Sequence, residues 1–247
     1  MFPSEMSWVS KDPDNLKRGL GVEETKARRS VVEHGQKMNA LGINQGTSGN
    51  LSLRFGGGLL ITPSGIPYEE MTPEDVVFVR MDGSYEGRHA PSTEWRFHRD
   101  ILATRPEVNA VVHAHPAYCT ALSIVGRGIP AVHYMIAAAL GDVRVAPYAT
   151  FGTEELSKNA LKALEGRFAC LLAHHGMIAL GLTLPRALWL ANEVETIARQ
   201  YTIALQIGEP KVLPEDEIRR LIERFQSYGV KDKPKESPVE NSSENAV

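Results

Sequence analysis

The segment VNAVVHAH ends on His113 and His115. In a strand, these two residues project from one face, about 7 Å apart along the backbone. Two imidazoles so placed can converge on one metal ion. A second pair, His174 and His175, closes the apolar run FACLLAHHG. Imidazoles at the end of a strand buried on both faces are costly unless ligated or hydrogen-bonded. Neighbouring strand residues point to opposite faces, so at most one of this pair is expected to join His113 and His115. Parity does not choose between them. Glu94, in PSTEWRFH, falls in the first turn of an expected helix, where the helix dipole favours a carboxylate. Three histidines with this glutamate form a nitrogen-rich donor set without thiolates. That set suits Zn²⁺ in a catalytic site better than in a closed structural one.

Small polar residues gather in Gly46-Thr47-Ser48-Gly49-Asn50, in Thr62-Pro63-Ser64-Gly65 and in Ser92-Thr93. Glycine turns let backbone N–H groups approach an anion, and hydroxyls add donors. The Gly-Lys-Ser/Thr ending of a P-loop is missing, so ATP is not expected. Beside a metal set, these clusters suggest a small phosphorylated substrate that chelates the ion. Cys170 lies in an apolar run and reads as an inert core thiol. Nothing in the sequence marks Cys119 as reactive.

The elements that must hold these residues alternate in period. Apolar positions from Glu23 to Leu41 suit an amphipathic helix closed by Gly42. Residues 50–62 read as a hairpin around Gly56-Gly57-Gly58, and Val76–Met81 as a strand before an Asp82-Gly83 turn. A helix is expected over Ser92–Arg105, capped by Ser92 or Thr93 and stopped by Pro106. Val108–His115 reads as a strand, Pro116–Leu122 as a short helix, and Phe168–Gly176 as an apolar strand. Further helices are expected from Thr153 to Gly166, Pro185 to Gln206 and Glu215 to Tyr228. Strands and helices mixed in this way imply an α/β layered fold, and the glycine hairpin implies some antiparallel pairing.

Composition bounds the rest. Lys plus Arg is 27 and Asp plus Glu is 30, a net charge of −3 that offers no basic surplus for a phosphate backbone. Nucleic acid is therefore not an expected partner. No run of about 18 apolar residues occurs, so no membrane span is expected, and the first residues lack the pattern of a secretory signal. Two cysteines exclude a disulfide framework and fit a reducing cytoplasm. Residues 1–20 read as a partly ordered N-terminal extension, 21–230 as one domain, and 231–247 as a disordered tail holding only three apolar residues.

The segments NQGTSGNLSLR, LLITPSGIPYEEM, PSTEWRFH, AVVHAHPAYCTALS, IPAVHYMIAAA, APYATFGTEEL and LLAHHGMIA resemble the class II aldolase/adducin family. The resemblance runs from about Glu23 to Val230 in one order. It implies a three-layer α/β/α sandwich around a mostly antiparallel sheet, assembled as a homotetramer with sites between chains. It implies one zinc ion per chain, with Mn²⁺ and Co²⁺ as further candidates. The implied ligands are His113, His115 and His175, with Glu94 as ligand at rest and base when substrate displaces it. The family's phosphate site maps to Thr47, Asn50, Ser64, Gly65, Ser92 and Thr93. Tyr134 matches a proton donor acting from an adjacent subunit, Tyr228 a tyrosine that closes over the site, and Phe151 an aromatic lining the aldehyde end. The chain departs from the archetype by Thr/Ser exchanges at Ser64 and Thr93, by one residue fewer between HYM and APYATFG, and by longer termini.

The implied reaction is reversible cleavage of a deoxyketose 1-phosphate to dihydroxyacetone phosphate and a small aldehyde. L-fuculose 1-phosphate, 5-deoxyribulose 1-phosphate and methylthioribulose 1-phosphate are the expected substrate types. No lysine lies in the quoted segments, so a Schiff base is not needed. Three rivals stand beside this reading. A ribulose-5-phosphate 4-epimerase of the family would carry an aspartate near HYM and a later histidine, whereas this chain has Tyr134 and no histidine after His175. A sugar-phosphate dehydratase is the second. A non-enzymatic adducin-like interaction module is the third, and such modules lose the ligands that are all present here.

Overall fold

The computed structural model describes residues 13–226. Its elements run α1 (Pro13–Ala40), β1 (Asn50–Phe55), β2 (Gly58–Ile61), β3 (Val77–Arg80), β4 (Tyr85–Glu86), α2 (Trp95–Thr104), β5 (Ala110–Ala114), α3 (Ala117–Ile124), β6 (Arg144–Ala146), α4 (Glu154–Ala163), β7 (Ala169–Leu172), β8 (Gly176–Gly181), α5 (Leu184–Ile207) and α6 (Glu215–Gln226). The eight strands form one sheet in the order β4-β3-β2-β1-β5-β8-β7-β6. Every neighbouring pair is antiparallel except β6 with β7.

Strand alternation divides the interior in two. Val112 and Ala114 of β5, Leu171 of β7, and Met177 and Ala179 of β8 pack with α1, α3 and α5. Val111, Cys170, Leu172, Ile178 and Leu180 point the other way, to Phe97, Ile101 and Leu102 of α2 and to Leu156 and Ala160 of α4. Helices therefore cover both faces of a mostly antiparallel sheet, the three-layer α/β/α arrangement that the family resemblance implies. Both faces of β5, β7 and β8 are buried, which is why these strands read as continuous apolar runs.

Several boundaries differ from the sequence expectation. Helix α1 begins at Pro13 rather than Glu23. Helix α2 begins at Trp95, because Ser92 and Thr93 belong to the turn before it and Glu94 takes the N-cap position. The expected strand 168–176 stops at Leu172, and the chain turns through Ala173–His175 into β8, a separate strand paired with both β5 and β7. His174 takes the left-handed backbone at φ 56° in that turn. A 3₁₀ turn at Tyr134–Ala139 and the three-residue strand β6 have no clear signal in the sequence. Residue Tyr228 and the tail 231–247 lie outside the described residues.

Two anchors fix β5 and the start of α3. Across the β1–β5 ladder Asn50 stands opposite His113. The Glu195 carboxylate, from α5, accepts hydrogen bonds from the Tyr118 and Cys119 N–H groups at 2.9 and 2.8 Å. It thereby satisfies free N–H groups in the first turn of α3, immediately after His115.

Candidate metal centre

Strand β5 positions the first two histidines. His113 is fully buried, and its Nδ1 lies 2.9 Å from the Met177 carbonyl on the adjacent β8. That hydrogen bond places the proton on Nδ1 and leaves Nε2 as the open donor atom, the usual support of a metal-binding histidine. His115, two residues on, brings its Nε2 to 2.9 Å from the Nε2 of His113. The turn before β8 supplies His175. Gly176 permits this approach, since a Cβ there would meet the Ala114 carbonyl at 2.4 Å and the His115 ring at 2.7 Å. One donor atom from each of the three imidazoles lies within 4.8 Å of the others.

Glu94 enters from the start of α2. Its Oε2 is 3.1 Å from His113 Nε2, and its Oε1 is 3.4 Å from His175 Nε2. The carboxylate caps no helix N–H with its side chain. It is buried, and its Oε1 is one of two buried side-chain polar atoms without a hydrogen-bond partner among the described residues, the other being Thr120 Oγ1. A buried carboxylate oxygen left unpaired is expensive. Burial alone would raise the pKa of Glu94. The charges of His113 and His175 and the Asn50 amide outweigh it and hold the carboxyl well below its ordinary range. Burial depresses His115 to about 3 and His175 to about 4, helped by the proximity of His113. Burial also opposes charge on His113, but Glu94 and the Met177 carbonyl raise it. The four groups thus form an ionised carboxylate facing His113, whose charge it favours, and the depressed His115 and His175, a donor set that a divalent cation would complete. The three imidazole donor atoms, within 4.8 Å of one another and flanked by the Glu94 carboxylate, would suit Zn²⁺, which takes nitrogen and carboxylate donors.

A cleft of about 380 Å³ opens onto this cluster, lined by Ser48, Thr93, Glu94, His115, Tyr148, Phe151, His174 and His175 among others. Two of the polar clusters meet at its edge. The Thr93 N–H donates to Ser64 Oγ at 3.1 Å, and the Ser92 N–H donates to the Thr62 carbonyl at 3.0 Å. Thr47, Ser64, Gly65 and Thr93 are exposed, whereas Ser92 and Asn50 are buried. The Ser92 hydroxyl accepts from the Glu94 N–H at 3.3 Å. Asn50 has its amide turned to Glu94 and His98, not to the cleft. Phe151 and Tyr148 are 63% and 62% exposed at the cleft mouth, and the Tyr148 ring meets His174 edge-on. Tyr134 stands apart. It lines a separate groove with Thr183, Arg186, Trp189 and Glu193 that shares no residue with the cleft.

Sequence reasoning passed over Ser52, His98 and Tyr148, and left open the choice between His174, which is exposed, and His175. His98 carried a signal, four residues after Glu94 and so on the same helix face. Ser52 carried another, as the polar residue between Asn50 and Arg54 in a strand that alternates polar and apolar.

The chain matches the model of the Class II Aldolase and Adducin N-terminal domain over residues 29–202. It is 55% identical to a 5-methylthioribulose-1-phosphate/5-deoxyribulose-1-phosphate aldolase of Rhodospirillum rubrum, over 82% of this chain and 92% of that protein. It is 50% identical to an L-fuculose phosphate aldolase of Escherichia coli, over 85% of this chain and 99% of that protein. Among solved structures, an L-fuculose 1-phosphate aldolase superposes with a TM-score of 0.80 at 42% identity, covering 81% of this chain and 96% of that one. With a family model spanning most of its length and relatives at half identity or more, this chain belongs to the class II aldolase/adducin family.

Proposed function

We propose that the cleft is the active site of a divalent-metal-dependent aldehyde-lyase that cleaves a deoxyketose 1-phosphate to dihydroxyacetone phosphate and a small aldehyde. The observation that carries this reading is the convergence of the His113, His115 and His175 donor atoms beside the buried Glu94 carboxylate, at the base of a cleft edged by hydroxyls and glycine turns. His113, His115, His175 and Glu94 would hold the ion, zinc by its preference for this donor set. A bound divalent ion supplies Lewis acidity to the ketone and neighbouring hydroxyl oxygens of such a substrate.

The protein's own groups do the rest. Thr47, Ser64, Gly65 and Thr93 receive the phosphate at the rim, and Ser92 and Asn50 support them from beneath. Glu94, held ionised beside the imidazoles, would move a proton at C3 as a base. Tyr148 and Phe151 offer an apolar wall to the far end of the sugar. That wall suits a terminal methyl or thioether, the kind of end that L-fuculose 1-phosphate, 5-deoxyribulose 1-phosphate and 5-methylthioribulose 1-phosphate carry. Tyr134 acts as proton donor to the aldehyde oxygen of a neighbouring chain's site, and its location in a groove away from its own imidazoles supports a shared-site homotetramer. Two buried free thiols support a cytoplasmic setting.

The test is a panel of these three ketose 1-phosphates with coupled detection of dihydroxyacetone phosphate, run on protein whose zinc content is measured. About one zinc per chain and triose-phosphate release from at least one substrate are expected. Epimerised pentose phosphate without triose release would assign the site to an epimerase, and loss of water without carbon–carbon cleavage to a dehydratase. A zinc-free, inactive protein with every ligand intact would leave only an interaction module.

A further inference from the structure

Beneath the metal centre, on the α2 side of the sheet, lies a row of buried polar groups. Asn50 and Ser52 project from β1 on one face, and His98 projects from α2 onto them. Ser52 and His98 are fully buried, and Asn50 is nearly so. His98 Nε2 lies 2.5 Å from Asn50 Oδ1, and His98 Nδ1 lies 2.8 Å from Ser52 Oγ. Asn50 Nδ2 lies 3.0 Å from Glu94 Oε2.

Chemistry fixes the direction of every bond in this row. A carboxylate only accepts, so Asn50 must turn its NH₂ toward Glu94 and its carbonyl toward His98. The Nε2 of His98 must then carry the proton, and its Nδ1 must accept from the Ser52 hydroxyl. The donors therefore all point one way: Ser52 to His98, His98 to Asn50, Asn50 to Glu94. Bonds aligned head to tail in a buried site reinforce one another. Burial and the charge of nearby His113 depress His98 to about 3, so the imidazole stays neutral and keeps this single tautomer.

We infer that His98 is a positioning residue for the reaction: with Ser52 it locks the Asn50 amide in the orientation that holds Glu94 by Oε2 and so aims the carboxylate at the imidazoles. A free asparagine amide could flip and present its carbonyl to the carboxylate. The His98 N–H forbids that flip, because it needs an acceptor. The device fixes the carboxylate with Oε2 3.1 Å from His113 Nε2 and Oε1 3.4 Å from His175 Nε2. The inference rests on the reading of Glu94 as ligand and base.

The experiment uses the full-length, zinc-loaded protein and three measurements: kcat, KM and resistance of the bound zinc to a chelator. In His98→Leu, kcat should fall about 10–100-fold and zinc should be lost more readily, the effect usual for removing a partner of a metal ligand. KM should stay within about threefold, since the phosphate donors at the rim are untouched. His98→Gln, whose amide can donate to Asn50 and accept from Ser52, should recover most of both losses. A folded His98→Leu protein with native kcat and native zinc retention overturns the inference, even if its melting temperature is lower. Should His98→Leu fail to fold, Ser52→Ala decides, because it removes only the hydroxyl that holds Nδ1. It should lower kcat by about threefold or more, the worth of one buried hydrogen bond, and an unchanged kcat overturns the inference. Glu94→Gln is the control for the underlying reading. If it too leaves kcat and zinc retention unchanged, the role of Glu94 has failed rather than that of His98.

Discussion

The central strands present very different side chains to the two helical layers. Toward α1, α3 and α5 they offer Leu51, Val112, Ala114, Met177 and Ala179, with no buried polar group from these strands. Toward α2 the same β1 and β5 offer Asn50, Ser52 and His113, set among Val111, Phe97 and Ile101. Both faces exclude water equally well. One gains stability from apolar area at about 25 cal/mol per Å². The other sets part of that gain aside for groups that hold a geometry, and Glu94 Oε1 beside them has no hydrogen-bond partner. Stability and chemistry are thus divided between the faces of one sheet, and substitutions on each face should fail in different ways.

The largest separation is expected at His115. His115→Ala should abolish zinc binding and aldol cleavage while the melting temperature of the metal-free protein stays near that of metal-free wild type. Chelator-treated wild type should regain activity on adding zinc, and the variant should not. Metal analysis with thermal unfolding checks this, and full zinc occupancy in the variant would remove His115 from the ligand set. Next comes Glu94→Gln, which should keep the fold and lower turnover by about 10²–10⁴-fold. Near-normal steady-state rates would take Glu94 out of the base role. On the apolar face, Leu60→Ala should cost about 2–5 kcal/mol of stability by opening a cavity, with native zinc content and native kcat per folded molecule. Denaturant unfolding and active-site titration check it, and a matching loss of kcat would show that the faces are coupled. The smallest effect concerns the thiols. Burial pushes Cys170 up to about 12 and Cys119 well above its usual range, Glu195 adding to the latter. Both should resist thiol reagents in the folded enzyme and react only on unfolding. Rapid modification under native conditions would contradict the packing of α3 on the sheet for Cys119, or of α2 and α4 for Cys170.

The same division decides what the sequence could tell. His113 and His115 were legible because an i, i+2 pair in a strand has one geometric meaning. The apolar face was legible because period alone reports it. Strand β8 was not, because MIALG follows a three-residue turn and its burial on both faces leaves no alternation to read. His174 and His175 sit in that turn, so strand parity could not select between them. The bonded row of Ser52, His98, Asn50 and Glu94 joins residues up to 48 positions apart, and each looks ordinary in its own segment. Tyr134 was placed in the reaction by family resemblance alone, and it lines a groove of its own.

The strand order has a consequence for biosynthesis. β5 pairs on one edge with β1, made earlier, and on the other with β8, made more than sixty residues later by position in the chain. A ribosome adding about 5–20 residues per second leaves that second edge bare for seconds. Ala110–Ala114 is fully apolar but for its histidine, and an unpaired apolar edge invites pairing with other chains. The nascent protein carries two of its imidazoles before the third exists, so it should need shelter, from a chaperone or from its own earlier hairpin, until translation has passed Gly181.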